Sequence, residues 1–445
     1  MNPALPQSAE ARLDELYDQW FEDDGSRFCG ELSEDACREV PGNFFLYVAS
    51  LVLTKLGDAL ANPKTTLTWV MSAAGAPGAL VGLLVPIRES GSMLPQIVLG
   101  GWVRRLAVRK WVWVLGSVLQ ALAIAGIGAA AAFTSGTTAG LLILAAVVVF
   151  SLSRSLSSMA SKDVKGKILP KGRRGRAGGL AASISGALTM GVALALVGIQ
   201  PGELSPQTLG LLLAAAGALW LLAAGLFARI AEEPGETDGS ADFSDALERL
   251  RLLRRETQFR RFVLARALFV STALAGPYYV LLARERAGEE ISLLAYFVLA
   301  GGLASTLSSL IWGRWADRSS RRVMLTAAGL ASVLGVLVFA VARWQQQWLD
   351  SPWVPLVGFF VLSIAHEGVR QGRKTHVVDM AEGNRRTDYV ATANTLIGLV
   401  LLATSALGAL VTWVGPEGML LILALLGFAG IFVGRGLDEV QSGGR

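Results

Sequence analysis

Apolar runs of about twenty residues alternate with short polar or charged stretches along most of the chain. Six runs fall at about 43–62, 77–101, 111–132, 139–161, 178–199 and 207–229. Six more follow at about 261–283, 292–313, 323–342, 353–374, 389–413 and 417–434. In a helix, ~20 apolar residues cross a hydrocarbon layer of ~30 Å. The pattern predicts an all-α membrane protein with twelve transmembrane helices. Residues 231–260 are polar, hold Pro234, Gly235 and Gly239, and read as a linker between a first half at 43–230 and a second at 261–436. Residues 1–42 and 437–445 read as tails. In the first, Leu13, Leu16, Tyr17, Trp20 and Phe21 recur at helical spacing, a stripe read as packing.

The second half repeats the first at an offset of 212 positions. Gly101 answers to Gly313, Arg109 to Arg321 and Lys110 to Arg322. Further on, Ser151 answers to Ser363, Lys162 to Lys374, Arg173 and Arg174 to Arg385 and Arg386, and Gly186 to Gly398. One offset held over about 85 residues marks a duplicated unit.

The repeat centres on Gly313-Arg314-Trp315-Ala316-Asp317-Arg318-Ser319-Ser320-Arg321-Arg322. This stretch resembles the G-x-x-x-D-R-x-G-R-R loop between the second and third helices of major facilitator superfamily transporters. Only Ser320 departs, standing where the inner Gly is expected. In the first half Arg105 replaces the Asp, and Leu106 and Val108 replace the Arg and Gly. The resemblance covers about residues 43–436. It implies two pseudo-symmetric six-helix halves with a solute site between them, and it names no solute.

Composition agrees. Charged residues are 17% of the chain and hydrophobic ones 53%, against ~25% charged in soluble domains. Lys and Arg concentrate in alternate loops: Lys162, Lys165, Lys167, Lys171, Arg173, Arg174 and Arg176 in one, and Arg104, Arg105, Arg109 and Lys110 in another. The loops 314–322 and 370–386 are also basic, whereas 133–139 is uncharged. By the positive-inside rule both termini are cytoplasmic, and a bacterial inner membrane is expected. The same basic runs are read as topology signals, so no nucleic acid is expected as a partner. Beyond the bilayer and a small solute, the chain is expected to act as a monomer.

Other chemistry is weakly supported. The two cysteines, Cys29 and Cys37, lie in the tail without a histidine, so neither a metal site nor a disulfide framework is expected. Gly126-x-Gly128-x-x-Ala131 lacks a preceding strand, and Gly78 and Gly82 form a small-xxx-small face; both read as helix packing. His366-Glu367-Gly368-Val369-Arg370 has Arg where a zinc motif needs its second His. No phosphate-binding loop and no nucleophile elbow occur, so neither an enzyme nor a cofactor is expected.

Ionisable residues inside spans are costly and point to function. Lys55 and Asp58 lie three apart in the first span, close enough to pair on one face. Arg88 and Glu89 sit between Pro86 and Pro95 in the second, with Arg88 ~16 Å from its outer end. Their repeat mates, Ala300 and Gly301, are uncharged. Adjacent helical residues point apart, so one of the two needs a partner on another helix. Arg154 falls in the fourth span, at a place where the family carries an Arg. Its repeat mate is His366, beside Glu367 and Arg370. The four cations outnumber the carboxylates Asp58, Glu89 and Glu367 by one, which mildly suits an anionic or zwitterionic solute.

These features are read as a secondary active transporter working by alternating access, with proton coupling through Asp58, Glu89, Glu367 or His366. The alternative is a membrane receptor or scaffold that keeps the fold without transporting. The resemblance further implies that each motif loop packs on the other half. Asp317 is then expected beside Arg176 and Arg105 beside Asp388, as two pseudo-symmetric pairs of a cytoplasmic gate.

Overall fold

The computed structural model describes residues 34–95, 99, 102–103, 105–197, 206–235, 237, 252–287, 291–380 and 385–440. The amino-terminal stripe, Cys29, Gly101 and half of the linker lie outside them. The described residues are helical with short connections and contain no strand. Leu115, Leu122, Phe133, Leu141, Leu211, Leu222 and Phe432 are exposed on the outer flanks. Bulky apolar side chains in such numbers have lipid as their solvent.

Eight stretches qualify as membrane-crossing on length and apolarity alone, one of them covering both the eleventh and twelfth spans at Thr392–Gly434. The eighth span, Ile291–Arg318, has a shorter apolar core at Ser292–Ser308. The second and tenth spans do not qualify. Arg88 and Glu89 interrupt the second; Glu367, Arg370, Arg373 and Lys374 interrupt the tenth. The charges that disqualify these two spans include Arg88, Glu89 and Glu367.

The first span differs from its expected extent. Val40–Leu60 is one helix, the chain unwinds at residues 61–65, and Thr66–Ala73 is a second helix rather than a surface loop. Pro63 lacks an amide hydrogen and cannot continue the helix. Asn62 organises the break: its side-chain oxygen accepts from the Lys64 amide at 2.8 Å, and its carbonyl accepts from the amides of Thr65 and Leu67 at 3.3 and 3.0 Å. The Thr68 hydroxyl donates to the Pro63 carbonyl at 2.7 Å. Leu67, Thr68, Trp69, Val70 and Met71 are all buried. The two pieces together run the length of the 33-residue fourth span, Gly136–Ile168. Tyr47 meets Ser161 at one end, Asp58 meets Arg154 in between, and the Ala74 carbonyl accepts from the Gly136 amide at the other. The turn to the second span is therefore only residues 74–77, with Gly75 at φ +75°.

The second span is also broken, into Gly78–Val81 and Leu84–Met93. The seventh, the repeat mate of the first, runs as Thr257–Phe269, Ser271–Leu274 and Gly276–Ala287. Pro277 removes a donor just past its last break. Between the eleventh and twelfth spans, Ser405–Leu410 is a 3-10 turn. Gly415, at φ +71°, and Pro416 then kink the last helix.

The halves meet through the first and seventh, second and eleventh, and fifth and eighth spans. Away from the basic loops, here called the far end, repeat mates touch one another. The Lys64 stem lies on Gly276, where a Cβ would come within 3.1 Å of it. Arg284 donates to Ser72, 212 positions before it. An element in contact with its own mate lies on the pseudo-two-fold axis, so the first and seventh spans cross there.

Close backbone approach seals the far end further. A Cβ on Gly82 would stand 2.8 Å from the Gly408 Cα and 2.9 Å from the Tyr278 hydroxyl. Gly82→Val is therefore expected to wedge the far end apart. Cysteine labelling of the Ser72–Arg284 region should rise several-fold. Labelling equal to the parent's would show that this contact does not hold the halves shut.

Two segments assigned to linker and tail belong to the halves. The Asn43 amide donates to the Ala231 carbonyl at 2.9 Å, and the Ala231 amide donates back at 2.8 Å. Residues 437–439 likewise bond to Arg321 and Ser319.

Candidate functional site

The charged residues of the first half converge on Asp58. Its carboxylate lies 2.5 Å from Arg154 on the fourth span and 3.7 Å from Arg88 on the second. Arg88 also stands over the Phe150 ring, 4.7 Å from its centroid. Its side chain is 13% exposed, against 22% for Asp58 and 30% for Arg154. Arg88 is thus held between a carboxylate and an aromatic face. The expected Lys55–Asp58 pair does not form among the described ion pairs. Two guanidinium forks from other helices reach the carboxylate first, and Lys55 instead is exposed to a cavity.

On the tenth span, Glu367 and Arg370 pair at 2.6 Å, one helical turn apart. His366 Nδ1 lies 3.1 Å from the Thr272 hydroxyl, whose single proton goes to the Phe269 carbonyl at 2.9 Å. The hydroxyl therefore accepts, and the imidazole proton is assigned to Nδ1. His366 is a hydrogen-bonded residue that ties the tenth span to the break in the seventh.

Glu89 is placed differently from the other two carboxylates. Among the described residues it has no ion pair within contact distance, and it shares the fields of Lys64 and Arg373. Lys64 and Arg373 were not singled out in the sequence, and Lys374 entered only as the repeat mate of Lys162. Lys64 reads there as a loop residue, and the break puts it near Glu89 and Glu367. Arg373 and Lys374 follow Arg370 by one turn, a spacing that could have marked them.

A cavity of about 250 Å³ lies among the first, third and fourth spans and reaches the basic end. Lys55, Arg154, Lys162 and Lys165 line it, and Ser117 and Gln120 form part of the wall. Across it, Lys55 lies in the field of Arg370 and Lys374 of the second half. The lining described comes from the first half, and the space is closed at the far end.

The motif loops perform a second task. Glu232, just past the sixth span, is fully buried against the amino end of the third. It accepts from the Arg109 amide at 3.0 Å, the Lys110 amide at 2.6 Å and the Lys167 ammonium at 2.7 Å. A carboxylate there meets both unpaired amides and the helix dipole. The Arg109 side chain pairs with Asp163 at 3.1 Å. In the second half Glu439 takes the equivalent place, bonded to Ser319 and 2.9 Å from Arg321. Ser319 caps the ninth span through the Arg322 amide, and Ser320 bonds His376 at 2.9 Å. Arg318 is exposed. Of the proposed gate, Arg105 and Arg176 are exposed at the basic end. The side chains of Asp317 and Asp388 lie outside the described residues, as do those beside Gly313.

Several solved structures are similar in fold. A D-xylose-proton symporter aligns with a TM-score of 0.66 at 14% identity, covering 89% of this chain and 98% of that one. The nucleoside transporter NupG aligns at 0.65 and 12%, covering 88% and 99%. The xylose transporter XylE from E. coli, in an inward-open conformation, aligns at 0.63 and 14%, covering 90% and 97%. No curated protein matches by sequence. The family model described as Major Facilitator Superfamily matches residues 46–345 and 269–443. With nearly the whole chain matched and an all-helical membrane fold of the same kind, this protein belongs to the Major Facilitator Superfamily.

Proposed function

We propose that the chain is a secondary active transporter that moves a small solute by alternating access, coupled to protons. The observation that carries this reading is the convergence of ionisable side chains from the first, second and fourth spans on Asp58, beside a cavity that reaches the basic end. A receptor or scaffold has no need for charges there, since each costs free energy to bury. The reading has both termini in the cytoplasm of a bacterium, the basic end facing inward, and a monomer as the working unit. The state described is then closed outward. The pairs Asp317 with Arg176 and Arg105 with Asp388 are proposed to close the inner side in the opposite state. The solute is taken to be anionic or zwitterionic.

For coupling, Glu89 is the carboxylate we assign. Asp58 and Glu367 are engaged by guanidinium groups at contact distance. Glu89 has no described ion pair at contact distance and lies in the fields of Lys64 and Arg373. In proteoliposomes, Glu89→Gln is expected to abolish solute-driven proton flux while retaining solute exchange. Flux unchanged in Glu89→Gln, and likewise in Asp58→Asn and Glu367→Gln, would remove proton coupling. A parent protein that neither exchanges nor accumulates any solute would favour the receptor reading.

A further inference from the structure

The lining of the cavity at the basic end has a one-sided charge. Lys55, Arg154, Lys162 and Lys165 line it, and no carboxylate does. The nearest carboxylate on the first span, Asp58, is engaged by Arg88 and Arg154. The second half adds Arg370 and Lys374, both in the field of Lys55. Arg370 spends one bond on Glu367, and its side chain is still 45% exposed. Of the tenth-span residues, Arg373 and Lys374 were no part of the expected balance, and both are positive. The wall also holds Ser117, fully buried with a hydroxyl that has no partner within the protein.

A zwitterion needs a carboxylate to receive its ammonium group, and this lining offers none. A neutral polyol would bring no counter-charge to the lysines of this lining, Lys55, Lys162 and Lys165. An anion with two or more charges satisfies several of these cations at once, and guanidinium forks suit carboxylate and phosphate oxygens alike. We propose that the solute is a small multivalent anion, bearing a phosphate group or at least two carboxylates. Arg154 and Lys55 hold it from the first half, and Arg370 and Lys374 from the second. This rests on the transporter reading and narrows it: zwitterions and neutral solutes are excluded as the main cargo.

The test separates binding from transport. Purified protein is titrated with succinate, citrate and glycerol phosphate, and in parallel with alanine and xylose, by thermal shift and calorimetry. At least one multivalent anion is expected to bind in the millimolar range or tighter, with affinity falling as salt rises. Lys55→Gln, at an exposed position that leaves folding intact, is expected to weaken it about 10-fold or more, and Lys55→Arg to restore most of that loss. Whether the phosphate ester or the carboxylates bind better distinguishes the two sources of charge. Tighter binding of alanine or xylose, affinity unchanged in Lys55→Gln, or no multivalent anion bound at about 10 mM would each overturn the proposal. If an anion binds as expected but is not exchanged across proteoliposomes, the anion site stands and the transporter reading fails.

Discussion

Asp58→Asn is expected to stop transport and to destabilise the protein. The substitution keeps the volume of the side chain and removes the one charge shared by Arg88 and Arg154. Arg154 can turn toward the cavity and find water. Arg88 cannot do so easily, being 13% exposed and pinned against Phe150. Removing one partner of a buried ion pair costs about 3–5 kcal/mol, because the survivor keeps its desolvation cost. The partial exposure of Asp58 and Arg154 puts the expected loss at the low end of that range. Solute uptake should fall by about 100-fold, as befits a few kcal/mol at a site on which three spans converge. The double variant Asp58→Asn, Arg88→Gln removes the stranded charge and should recover most of the melting temperature without recovering transport. A single variant with the parent's melting temperature and uptake would show that Asp58 does not organise the site.

Glu232→Gln is the second large effect, and it acts on stability. The carboxylate is fully buried and serves two main-chain amides and the Lys167 ammonium. An amide of the same shape accepts through one oxygen, and its NH₂ group faces two of the donors that the other oxygen served. Lys167, 19% exposed, loses its counter-charge. A loss of about 3 kcal/mol follows from a charge stranded in this way. At ~2–4 °C per kcal/mol for a half of this size, the melting temperature should drop by roughly 10 °C. Glu439→Gln offers the internal comparison. Its carboxylate is 23% exposed and its partner Arg321 28%. Water competes there, so the expected cost is about 1 kcal/mol or less. If the two variants melt alike, burial is not what gives Glu232 its weight.

The pairing of Glu232 with the third span was not legible in the linear chain. Residue 232 is polar and follows an apolar run, so it reads as the start of a linker. Only the return of the sixth span to the basic end, beside the amino end of the third, gives the carboxylate its amide partners. Lys64 was missed for a related reason. The interval between the first two apolar runs looks like a loop, yet Leu67, Trp69, Val70 and Met71 are as buried as any core residue. The dipeptide Asn62-Pro63 was the available signal: proline ends a helix, and asparagine before it favours a turn. Taken as a mid-span break, it would have carried Lys64 to the axis between the halves.

What the sequence by itself determined is the class of the protein and its internal symmetry. Hydrophobic runs long enough to cross a bilayer leave a chain no option but helices, because hydrocarbon satisfies no backbone hydrogen bond. The 212-residue offset and the motif loop then fix two related halves, and the cost of buried charge singles out Asp58, Arg88 and Glu367 before any coordinates exist. What only the tertiary structure decided is who pairs with whom. Sequence spacing suggested Lys55 for Asp58, whereas helices from elsewhere in the half bring two guanidinium groups closer. Neighbours along a helix are set by its pitch, which any reader of the chain can compute. Neighbours between helices depend on packing angle and depth, and these emerge only when all the spans settle against one another.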